Sequence, residues 1–140
     1  MIATLAAAGL AIFPPGPTMQ ITHDPGTSQN AISAYETGLV RMQDRVYRSS
    51  LFATRETVVE NWDPPPVDRL AIDDFAALLA LAPQVVILGT GPSQRLPRPE
   101  LFAAFAARGV GLEVMDTGAA CRTYNLLLSE YREVAIALML

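Results

Sequence analysis

The 140 residues, 51% of them hydrophobic, suffice for one domain that buries a core without disulfide or metal support. The net charge is −4 and all ten basic residues are arginine, which leaves no basic stripe for nucleic acid or anionic lipid and no lysine for a Schiff base or a P-loop. One cysteine (Cys121) and one histidine (His23) cannot make a disulfide framework or a Cys/His zinc cluster, so the chain is read as cytoplasmic, without metal or cofactor.

Met1–Phe13 is apolar, but it is too short to span a bilayer, lacks the basic start of a secretory signal, and stops at Pro14-Pro15-Gly16-Pro17. Residues 1–18 are therefore expected to be a disordered extension, or a start placed upstream of Met19, in preference to a signal peptide; no stable membrane insertion is expected. A single domain is expected over residues 19–140, and a chain begun at Met19 should melt as the full chain does.

Met19–Thr22 reads as a short strand and His23-Asp24-Pro25-Gly26 as a turn, with His23 facing solvent rather than serving as a base. Ala31–Glu36, Leu39–Gln43 and Arg45–Phe52 follow as an antiparallel meander through Thr37-Gly38 and Gln43-Asp44. Alternation places Arg41, Arg45 and Arg48 together on a wet face, as a solvated set paired with Glu36 and Asp44 or as an anion cluster. Val58–Trp62 closes the β-rich half, and Asp63-Pro64-Pro65-Pro66 makes a stiff crossing.

Beyond it helix and strand alternate. Ile72, Phe75, Leu78 and Leu79 predict a helix over Ile72–Ala82, with Asp73 and Asp74 as dipole partners rather than a catalytic pair. Val85–Leu88 is a strand, and Gly89–Arg98 a ten-residue loop. Pro99–Arg108 is a helix opened by Pro99 and stopped by Gly109. After strand Leu112–Met115, Thr117 is read as the cap of a helix to about Ser129, with Tyr124, Leu127, Leu128 and Tyr131 at core spacing. Val134–Leu140 is apolar throughout, as a strand buried on both faces must be, so losing it should be ruinous.

Parallel strands set their outgoing turns side by side, so Gly89, Thr90 and Gly91 should border Asp116, Thr117 and Gly118 in a crevice. Gly89-Thr90-Gly91 fails as a dinucleotide fingerprint: Gln94 replaces the third glycine, and Pro97 and Pro99 delay the helix. Cys121 lies one turn into the last long helix, where dipole and Arg122 would favour thiolate; a buried structural thiol is the competing reading. Arg95, Arg122 and Asn125 complete the candidate ligand set, with Arg122 reaching an anion on the N–H groups of Thr117–Ala119. A capping and hydrogen-bond network accounts for the same residues equally well.

The runs Val86-Ile87-Leu88-Gly89-Thr90-Gly91, Gln94-Arg95 and, above all, Glu113-Val114-Met115-Asp116-Thr117-Gly118-Ala119-Ala120-Cys121-Arg122-Thr123-Tyr124-Asn125 resemble the Mth938-like domain family, as do Ser49-Ser50-Leu51 and Trp62-Asp63. The resemblance covers Met19 to Leu140. It implies an α/β fold of three layers, a central mixed sheet with flanking helices plus an N-terminal antiparallel β layer, and relatives that include a mitochondrial complex I assembly factor. It carries over no catalytic residue. Ala71 departs from the hydroxyl cap usual in the family. Two classes of function follow: a non-catalytic binding or assembly module with protein partners, and a small-anion site or thiol enzyme built on the crevice.

Overall fold

The structure is a computed structural model that describes residues 19–20 and 30–140. The extension over 1–18, His23 and the turn around it lie outside the described residues.

Two sheets organise the chain. The first is antiparallel in the order β1 (Met19–Gln20), β2 (Ile32–Glu36), β3 (Leu39–Met42), β4 (Arg45–Tyr47). The second has the order β6-β5-β9-β7-β8, formed by β5 (Leu51–Ala53), β6 (Val58–Val59), β7 (Val85–Gly89), β8 (Gly111–Met115) and β9 (Val134–Leu138). Within it β6, β5 and β9 pair antiparallel, whereas β9, β7 and β8 are parallel. This is the mixed α/β architecture expected, with the N-terminal strands as a separate layer.

The helices take opposite faces of the larger sheet. The long helix α3 (Thr117–Ser129) buries Ala120, Cys121, Tyr124 and Leu128 between the two sheets, against Ile32, Val40 and Met42 on one side and Ile87, Ile136 and Leu138 on the other. On the far face α2 (Pro99–Ala107) and the short α1 (Ala76–Leu79) pack Leu101, Phe105 and Leu78 on Val86, Leu88, Ala135 and Ala137. Strand β9 thus sends Val134, Ile136 and Leu138 into one core and Ala135 and Ala137 into the other, which is why its sequence shows no alternation. Each large apolar side chain buried there contributes about 1.5–3 kcal/mol. No helix among the described residues is long and apolar enough to cross a membrane.

Several expectations need correction. Arg45–Phe52 is not one strand: Arg45–Tyr47 ends the first sheet and Leu51–Ala53 begins the second, with Ser50 turned to accept from Trp62 N (2.9 Å) and Leu140 N (2.9 Å) through its carbonyl and hydroxyl. Arg41 is not on a wet face; it is 2% exposed, donates from Nε to the Gln43 carbonyl, and lies 3.6 Å from Asp44. The outer face of the small sheet is closed over Ala34 and Leu39 as well, so alternation there separates two buried faces. The helix expected over Ile72–Ala82 is a 3-10 turn, Ile72–Phe75, followed by the single α turn of α1. Asp74 folds its carboxylate back onto Ala71 N (2.8 Å), supplying the start that Ala71 has no side-chain oxygen to make, and tight Leu78–Leu81 and Leu79–Ala82 bonds end the segment before Pro83. Tyr131 is not a core residue but 79% exposed, past the end of α3.

Candidate functional site

Strands β7 and β8 are parallel neighbours whose outgoing connections lead to helices on opposite faces, and a crevice opens at the carboxyl ends of such a pair. The two turns meet there. Thr90 N donates to the Met115 carbonyl (3.0 Å), Thr117 N to the Gly91 carbonyl (2.8 Å), and Gly91 N back to Thr117 Oγ1 (2.9 Å). Inside its own loop Thr90 Oγ1 donates to the Ser93 carbonyl (2.8 Å) and accepts from Arg95 N (3.0 Å), which fixes the path of a loop otherwise free to wander.

Above these turns lies a cavity of about 560 Å³. Its walls are Tyr35–Gly38 from the turn between β2 and β3, Thr90–Pro92, Asp116–Gly118 with Arg122, and Met139–Leu140. Among the sequence candidates, Thr90, Gly91, Asp116, Thr117, Gly118 and Arg122 line it. Gly89 lies below: a Cβ there would come within 2.9 Å of the Leu138 side chain and 3.1 Å of Ala120 Cβ, so this glycine seats α3 on the sheet. Arg95 is exposed in the loop outside the cavity.

Asp116, not Thr117, caps α3. Its Oδ1 accepts from Ala119 N (2.9 Å) and its carbonyl from Ala120 N (2.9 Å), while Thr117 N is held by Gly91. Three N–H groups of the helix start are thereby spent within the protein, including two of those on which an anion was expected to rest. Asn125 faces away from the cavity and acts as a piece of strand: Oδ1 accepts from Ile32 N (2.8 Å) and Nδ2 donates to the Ile32 carbonyl (2.7 Å), binding the small sheet to α3. Cys121 is fully buried on the helix face toward the core. Burial pushes its thiol from 9.0 up to about 12; Arg122 pulls the other way and Asp116 adds to the rise, but desolvation dominates, so the group stays a protonated thiol at neutral pH.

Arg122 reaches Tyr35 instead, donating from Nη1 to the hydroxyl at 2.7 Å. Tyr35 was not legible as a site residue, since it lies 87 positions away and reads as an ordinary strand aromatic. Its ring lies on Gly118, where an added Cβ would sit 2.7 Å from the hydroxyl, and that closeness is the trace in the sequence: a glycine in the first turn of a helix, at some cost to helix propensity.

A three-layer α/β domain with two sheets around one long helix is the architecture of the Mth938-like domains. The solution NMR structure of a Mth938-like domain from Bordetella pertussis matches with a TM-score of 0.69 and 32% identity, covering 86% of this chain and 92% of that one. The chain belongs to the family described as Protein of unknown function (DUF498/DUF598), which matches residues 32–139. It is 37% identical over 90 residues to a 13 kDa major membrane protein of Francisella tularensis, covering 64% of this chain and 73% of that protein. It is also 33% identical over 86 residues to NADH dehydrogenase [ubiquinone] 1 alpha subcomplex assembly factor 3 of Mus musculus, covering 60% of this chain and 46% of that protein. The chain thus spans about half the length of the assembly factor.

Proposed function

We propose that this protein is a cytoplasmic, non-catalytic binding module that holds a partner protein during assembly of a larger complex, a respiratory complex being the first candidate. The observation that carries the reading is its 33% identity, over most of the folded domain, to a protein named as a complex I assembly factor. The candidate site supports it: Asn125 is committed to holding the two sheets together, and Cys121 is kept as a protonated, enclosed thiol rather than a nucleophile. A committed amide and an enclosed thiol suit holding rather than bond-making.

The test is deletion of the gene in its own cell, followed by native-gel measurement of assembled respiratory complexes, with affinity capture of the tagged chain alongside. A fall in one assembled complex, together with recovery of its subunits or of another assembly factor, is expected. Unchanged complexes and no subunit recovered above an untagged control would overturn the reading.

A further inference from the structure

We infer that the cavity beside α3 is a binding site for a small monocarboxylate with an apolar body, held by the Arg122–Tyr35 pair. This goes beyond the assembly role and does not depend on it.

The charges around the cavity single out Arg122. Asp116 is engaged at the helix start, and Glu36 has an interaction of its own. Among the described residues no carboxylate lies within ion-pair distance of Arg122; its partner is the neutral Tyr35 hydroxyl. A guanidinium carries five N–H donors in a planar fork and one of them is used here, so an edge remains for a carboxylate. Because the Tyr35 oxygen accepts from Arg122, its own proton is left to donate, and the two groups offer adjacent donors to one oxyanion.

The other walls narrow the class. Among the described residues one cation faces a cavity bordered by two carboxylates, Glu36 and Asp116, so a singly charged ligand is tolerated where a phosphate dianion is repelled. The Tyr35 ring, Pro92 and Met139 give the rest of the ligand an apolar surface. The volume of about 560 Å³ falls within the roughly 300–1,000 Å³ of small-molecule sites.

The experiment is an amide-resolved NMR titration of the full chain with hexanoate, hexanamide and inorganic phosphate. Hexanoate should move the Gly91 and Gly118 amides and bind at least roughly tenfold tighter than hexanamide or phosphate, since the amide lacks the charge that Arg122 selects. Arg122→Gln should lose roughly tenfold or more in hexanoate affinity, and Tyr35→Phe severalfold, with the melting of the unliganded proteins confirming that both variants fold. An acetylated hexapeptide with one internal glutamate is the companion arm: tighter binding than hexanoate assigns the carboxylate to a protein side chain, weaker binding to a free acid, and either keeps the site. Equal binding of acid and amide, shifts that miss Gly91 and Gly118, or full affinity in Arg122→Gln would overturn the inference.

Discussion

Each end of α3 is met by an arginine joined to a tyrosine, and the two pairs do different work. At the carboxyl end Arg55 donates from Nη2 to the Leu128 carbonyl (2.8 Å) and lies over the Tyr131 ring at 5.5 Å. A cation there adds a second donor to a carbonyl that also accepts from Tyr131 N (3.0 Å) and complements the helix dipole, and Tyr131 accepts a left-handed backbone (φ 59°) where glycine is usual. Near the amino end a cation gains nothing from the dipole, and among the described residues Arg122 meets only a tyrosine hydroxyl at the edge of a cavity. One pair closes a helix; the other borders a cavity.

The comparison can be broken or sharpened by experiment. The largest effect is expected from pH, because Cys121, next to the exposed Arg122, is fully buried. Its folded value of about 12 exceeds the ordinary 9.0, so the folded state keeps a proton that the unfolded state releases in between. Stability is therefore full below about pH 9 and falls above it, by up to about 1.4 kcal/mol per pH unit from this group. Tyr124, also raised by burial, adds in the same direction. Urea unfolding at graded pH checks the slope, and Cys121→Ala should make it shallower; an unchanged slope would mean that the thiol is not the group responsible.

Next comes the middle of the helix. Asn125→Ala strips partners from both backbone groups of Ile32 and should cost about 2–4 kcal/mol in urea unfolding. A loss under about 1 kcal/mol would show that the small sheet does not rely on this clamp. Gly89→Ala forces a Cβ between Leu138 and Ala120 and should cost about 1–3 kcal/mol, with the shift concentrated at the amino end of α3 in amide spectra.

The smallest effects separate the two arginines directly. Arg55→Gln should lower stability by about 1 kcal/mol through the lost charge-assisted bond to the Leu128 carbonyl, which keeps its bond from Tyr131 N, while Arg122→Gln, on an exposed position with a neutral partner, should stay within about 0.5 kcal/mol. Equal losses would erase the distinction between a structural and a ligand-facing pair.

Much of the larger sheet was legible because its strands are continuous apolar runs closed by glycine, aspartate or proline, and because Pro99 and Gly109 bracket a helix by well-understood backbone preferences. The adjacency of the two turns followed from parallel topology alone. The rest depended on what strands do far from their own sequence. Nothing local in Arg45–Phe52 says that the chain changes sheets at Ser50, and period-two alternation in Leu39–Met42 cannot distinguish a wet face from a second covered one. Likewise Thr117 and Asp116 are both good caps by residue type; the choice fell to Asp116 because Thr117 is taken up with Gly91. Asn125 and Arg122 stand out in the sequence as polar residues on an apolar helix and were read together as ligand candidates, but their partners, Ile32 and Tyr35, sit in the other half of the chain and divide them between a clamp and a cavity wall.

Strand β9 lies between β5 and β7 yet is translated after both. The hairpin of β5 and β6 and the pair of β7 and β8 share no strand-to-strand bonds of their own, and only residues 134–138 bridge them. Closure of the larger sheet therefore waits on the last of its five strands to be made.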